Sequence, residues 1–133
     1  MEYLQPIVFL KIVSLVFLGI LFMQSGLDKI INYGSNYEWL KSHFSKSPLR
    51  NTVDIFLPII TTIETGAGIL CTLGLIFFLA NGSLQLAMFG AQLSCLAILM
   101  LFFGQRMVQD YEGASTLVGY FVLCMATIFI LQL

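Results

Sequence analysis

The chain has 133 residues, of which 59% are hydrophobic and only 10% charged, against roughly 45–50% and about 25% in an ordinary soluble domain. A chain this apolar cannot cover its own surface in water; it belongs in lipid. Six Lys and Arg against seven Asp and Glu leave no basic footprint for nucleic acid, and the single histidine, His43, falls in a polar loop with no partner for a histidine-based metal site.

Crossing a bilayer takes about 20 apolar residues in a helix, and four stretches qualify. The first runs from about Ile7 to Leu27, with Pro6 suited to its opening turn and Lys11 close enough to the end to snorkel. It lacks a basic leader and an A-x-A site, so it reads as a retained helix and not a cleaved signal peptide. The second covers about Phe56 to Leu79, with Pro58 tolerated in its first turn. The third, about Leu84 to Phe103, and the fourth, about Ala114 to Leu133, carry no formal charge. Asn81-Gly82 between the second and third predicts a tight turn and antiparallel neighbours. The sequon Asn81-Gly82-Ser83 hugs the membrane and is discounted.

Only the first connection, residues 28–55, is substantial. Ser35 and Glu38 have the spacing of a capping box, and Tyr33, Tyr37, Leu40 and Phe44 fall on one helical stripe that stops before Pro48. With Trp39 and the tyrosines preferring the headgroup region, a short amphipathic helix over about 36–47 is expected on the membrane surface, with a lid over a site between the helices as the alternative. The expected fold is all-α: one transmembrane domain over 1–133, an integral membrane four-helix bundle with an interfacial helix in its first loop.

Lys29, Lys41, Lys46, Arg50 and Arg106 lie in the first and third loops, whereas the opposite side has only Lys11, itself within a helix. The positive-inside rule therefore places loops one and three in the cytoplasm. Cys71, Cys95 and Cys124 lie inside apolar stretches without a CxxC pair and read as small core residues. Nothing in the sequence points to a metal site or to a catalytic group.

An acidic residue deep in a membrane helix is treated as functional by default, and Glu64 is one. It sits roughly eight residues, or about 12 Å, into the second stretch. Thr61, Gly68 and Cys71 share its face, which is small enough to pack closely. Candidate partners at compatible depth are Gln24, Ser25, Gly26, Asp28 and Lys29 at the end of the first stretch. Gln92 is another, about 16 Å from the loop-three end of the third stretch; Asp110 and Glu112 open the fourth. Such residues can form a polar pocket open toward loops one and three. Three readings stay open: a packing device in which Glu64 is neutral or paired with Lys29, a site for a lipophilic ligand such as a quinone or a lipid, and an ion pathway. In the third stretch, Ser83, Ala87, Ala91 and Cys95 form a row of small residues four apart, while Gln85 and Gln92 stack on the opposite face. Two faces suited to protein contact suggest a neighbouring subunit or homo-oligomer; the alternative is that this helix is the most central of the four.

Phe22-Met23-Gln24-Ser25-Gly26-Leu27-Asp28-Lys29-Ile30 resembles the F-x-x-x-G-x-x-K-hydrophobic segment of the DoxX-like family. Ile63-Glu64-Thr65-Gly66-Ala67-Gly68-Ile69-Leu70 followed by Gly74 is similar to its E-x-x-x-G-x-x-L-x-x-x-G element. The resemblance covers most of the chain. It implies a small prokaryotic protein of the bacterial inner membrane, with some relatives associated with thiosulfate:quinone oxidoreduction or other membrane redox complexes. It also implies a site at Gly26, Lys29, Glu64 and Gly68. The combined expectation is a DoxX-like subunit of a larger membrane complex, surrounded by lipids and other subunits and without a covalently bound cofactor. That complex would be a quinone-associated redox assembly, and the chain would not be catalytic on its own. The alternative is a purely structural or assembly subunit of a non-redox machine, or a lipophilic-ligand-binding protein.

Overall fold

The computed structural model describes residues 4–133. These form five helices and no strand: α1 (Pro6–Ile31), α2 (Tyr33–His43), α3 (Val53–Asn81), α4 (Gln85–Met107) and α5 (Tyr111–Leu131). α1, α3, α4 and α5 are long and apolar enough to cross a membrane, so the chain is an integral membrane helical bundle. α3 packs between α1 and α4, α4 between α3 and α5, and α5 closes back on α1. Leu15, Leu18 and Phe22 of α1 meet Leu57, Ile60, Ala67 and Cys71 of α3 in the core, with Ala87, Ala91 and Ala97 of α4 and Cys124 of α5. Large apolar side chains such as Ile20, Phe103, Val122 and Phe129 point outward. In water that exterior would be an aggregation surface; in lipid it is the expected one.

Helix ends depart from the apolar boundaries in an informative way. α1 runs on to Ile31, carrying Asp28 and Lys29 inside the helix, and α2 begins after a single intervening residue, Asn32. The predicted capping box does not form. Ser35 lies within α2, whose N-cap is Asn32, with no side-chain capping bond. The reason is local: α1 ends and α2 begins at Asn32, whose N–H donates to Asp28 O (2.8 Å) and whose carbonyl accepts the Asn36 N–H (3.0 Å). Asn32 and Asn36 also donate their side-chain amides to the Asp28 carboxylate, at 2.8 and 3.3 Å. With the break at Asn32, Ser35 already lies inside α2 and is not at its N-cap. α2 ends at His43, so the predicted stretch 36–47 is displaced toward α1. Tyr37, Leu40 and Phe44 of the predicted stripe turn inward, whereas Tyr33 is exposed.

α3 starts three residues earlier than the apolar run, at Val53, which puts Pro58 in the helix interior. Proline cannot donate to the carbonyl one turn back; that carbonyl belongs to Asp54, an exposed residue at the membrane-surface end. The α3–α4 turn is as tight as Asn81-Gly82 predicts. Gly82 takes the left-handed conformation (φ 77°), which costs a glycine little, and Asn81 Oδ1 accepts the Ser83 N–H at 2.9 Å.

Ala87 and Ala91, the small row of the third span, are fully buried. They face α3: a Cβ on Gly74 would lie 2.8 Å from the Ala87 Cβ and closer still to its backbone. α4 thus uses its small face inside the bundle, while Gln85 and Gln92 remain on an exposed face.

Candidate functional site: an ion pair between α1 and α3

Glu64 stands eleven residues beyond the start of α3, about 16 Å along its axis, and is completely buried. On α1, Ser25 and Lys29 are four residues apart and therefore one above the other on a single face. Lys29 Nζ lies 3.0 Å from Glu64 Oε2 and 3.1 Å from Ser25 Oγ, and Ser25 Oγ donates to the same Oε2 at 2.6 Å. The three groups close a triangle. Lys29 keeps 16% of its side chain exposed and Glu64 none, so the cluster is sealed at its carboxylate.

The triangle satisfies only one carboxylate oxygen. Glu64 Oε1 is buried with no hydrogen-bond partner among the described residues, and the same holds for the neighbouring Thr65 Oγ1. A buried acceptor left unmet costs about 1–3 kcal/mol, more when charged, so this half of the carboxylate is the chemically open part of the site.

Two glycines bring the helices close enough for short side chains to meet. A Cβ on Gly26 would lie 2.8 Å from Thr65 Cα, and one on Gly68 would lie 2.6 Å from Met23 N. Both are closer than real contacts, so α1 and α3 approach here only because these positions lack side chains. Close approach through small residues is how membrane helices gain packing in the absence of a hydrophobic drive.

The residues named from the sequence divide clearly. Glu64 and Lys29 meet. Gln24 is exposed on α1; Asp28 is exposed and engaged with Asn32 and Asn36; Gln92 points outward from α4 beside Leu70, Phe89 and Leu96. Asp110 caps α5 by accepting the Gly113 N–H at 2.9 Å, and Glu112 is exposed. Ser25, a candidate partner in the sequence, completes the cluster. The signal was available, because Ser25 and Lys29 share an i, i+4 stripe that Gln24 does not.

Gly26, Lys29, Glu64 and Gly68, the positions that carry the motif resemblance, therefore form one contiguous contact between α1 and α3. The sequence profile of the DoxX family matches residues 13–97, a span that contains all four of these residues and more than half of the chain. The chain belongs to the DoxX family. The match ends within α4, so α5 lies outside it. Comparison with curated proteins and with solved structures gave no significant match.

Proposed function

We propose that this DoxX protein is a non-catalytic subunit of a larger redox assembly of the membrane, in which the Glu64–Lys29 pair serves a lipophilic hydrogen-bonding ligand, a quinone or a lipid. The observation behind the ligand role is the buried carboxylate with one oxygen unpartnered, held beside a lysine that is itself partly exposed. Intramembrane ionisable residues of this kind mark ligand and proton paths. Glu64→Gln keeps the size and a hydrogen-bonding group while removing the charge. The expected result is loss of the assembly's activity with the protein still inserted and associated. The redox part of the reading is tested by gentle solubilisation and purification: partners carrying haem, flavin or iron–sulfur centres support it, and a non-redox machine would sink it.

The enclosure of Glu64 favours a second reading, in which the pair only locks α1 to α3 in a structural or assembly subunit. In that case Glu64→Gln is tolerated while Ala87→Leu, which strikes the α3–α4 contact, abolishes assembly. Gln85 and Gln92 on the exposed face of α4 support an interface with a neighbouring subunit.

The basic residues of loops one and three support a cytoplasmic location for that face in a bacterial inner membrane. In a variant whose own cysteines are replaced, a cysteine at the exposed position of Lys46 should resist a membrane-impermeant maleimide in intact cells and react after lysis. Labelling in intact cells would reverse the orientation.

A further inference from the structure

At the end of the bundle that carries loops one and three, α2 is tied across to α4 and α5. His43 Nε2 donates to Gln105 Oε1 at 2.8 Å and lies 3.6 Å from Asp110 Oδ2. The imidazole is stacked on Trp39, with centroids 4.5 Å apart and planes 16° from parallel. Gly113 leaves room for the arrangement, since a Cβ there would sit 2.6 Å from Gln105 Nε2.

Behind this tie is a cleft of about 160 Å³, lined by Trp39, His43, Phe44, Phe56, Gly104, Gln105 and three leucines. Its room comes partly from Gly104, where a Cβ would meet only the ring tips of Phe44 and Phe56, at 3.4 and 3.8 Å. An apolar cavity of roughly 150 Å³ is known to hold one benzene molecule, so the cleft has the capacity of a single ring. Trp39, Phe44 and Phe56 give its walls three aromatic rings, which suits the face or edge of such a ring. It is not wholly apolar: His43 Nε2 and Gln105 Oε1 satisfy each other, while Gln105 Nε2 has no hydrogen-bond partner among the described residues. The Gln105 side chain lines the cleft, and its amide nitrogen is a hydrogen-bond donor. Trp39 is 57% exposed and is a residue type that settles at headgroup depth, which puts the cleft within reach of molecules dissolved in the bilayer.

We propose that this cleft binds the ring of a membrane-dissolved amphiphile, a single six-membered ring bearing a hydrogen-bonding oxygen that accepts from Gln105, with its hydrocarbon part left in lipid. The site is made from residues other than the Glu64–Lys29 pair and does not rest on the role proposed for that pair.

Trp39 is the only tryptophan of the chain and lines the cleft, so its fluorescence reports occupancy. The probe is 4-bromophenol, whose bromine quenches indole, titrated into the full chain in detergent micelles. Saturable quenching is expected, with bromobenzene, which lacks the oxygen, binding roughly fivefold more weakly, the worth of one ordinary hydrogen bond. Gln105→Leu should remove that difference. Gly104→Leu, and independently Leu117→Phe, should fill the cleft and leave only the unsaturable quenching of micelle partition. Both variants are first checked for retained helicity and monodispersity, and either one alone suffices. Glu64→Gln should leave the titration unchanged. Unsaturable quenching in the unaltered protein would overturn the proposal. So would saturation that survives both filling variants, or equal affinity for the two probes. Loss of saturation in Glu64→Gln alone would move the ligand to the core pair and equally overturn it.

Discussion

Lys29→Met is expected to destabilise the protein by about 3–5 kcal/mol, the range for stranding one partner of a buried ion pair. The expectation rests on an asymmetry between the two partners. Lys29 keeps 16% of its side-chain surface exposed, whereas Glu64 has none. A lysine deprived of its carboxylate can extend its flexible stem toward the interface. A carboxylate deprived of its ammonium has nowhere to go. Glu64→Gln should therefore cost distinctly less than Lys29→Met, and Lys29→Met combined with Glu64→Leu should recover most of the loss, because no charge is then buried. Equilibrium unfolding in mixed micelles of mild detergent and dodecyl sulfate, read by circular dichroism, gives all three values. If Lys29→Met unfolds at the same detergent ratio as the unaltered chain, the pair contributes nothing to the fold and its presence has to be explained by function alone.

Gly74→Leu is the second large effect. A Cβ at Gly74 would lie within van der Waals overlap of the Ala87 backbone and 2.8 Å from its Cβ. Backbone cannot rotate aside as the tip of a flexible side chain can. α3 and α4 would have to separate along their most extensive contact, for which about 3 kcal/mol or more is expected, the upper end of overpacking costs. Gly119→Leu is the matched control. Nothing lies within 4 Å of a Cβ there, and an exposed change of this kind stays within about 0.5 kcal/mol. The comparison is read as the fraction of monodisperse protein remaining after stepwise heating in detergent. Equal losses for the two variants would mean that α3 and α4 are not held as close as described.

The four spans were legible because a bilayer imposes a length that only long apolar runs meet. Their ends were less so. Hydropathy marks where apolar side chains stop, not where the backbone ladder stops, and Asp28, Lys29, Val53 and Gln105 all lie in helix beyond the apolar runs. Ser35 and Glu38 have the spacing of a capping box, but the break between α1 and α2 falls at Asn32, three residues earlier, so Asn32 and not Ser35 stands at the N-cap. Periodicity placed Gln92 and Ala91 on different faces of α4 without saying which face turns inward. Packing decided that, since only the small face fits against Gly74. The depth of Glu64 made its need for a partner plain from the sequence, and the stripe shared by Ser25 and Lys29 was there to be read. His43 was not readable in this way. Its partners, Gln105 and Asp110, are more than sixty residues away in the chain, and only the path of α2 across the bundle brings them together.

The ion pair also bears on how the protein enters the membrane during synthesis. Lys29 sits in the last turn of α1, where its ammonium can reach the interface, so α1 can insert alone. Glu64 lies far inside α3, and an acidic group at the centre of a lone membrane helix costs about 2.5–3.5 kcal/mol on insertion scales. α3 gains from finding α1 already in place, with Ser25 and Lys29 ready to receive the carboxylate. Chain order provides for this, because α1 leaves the ribosome first. Exchanging the order of the two helices would leave the finished contact unaltered on paper while removing the host that the carboxylate meets on entry.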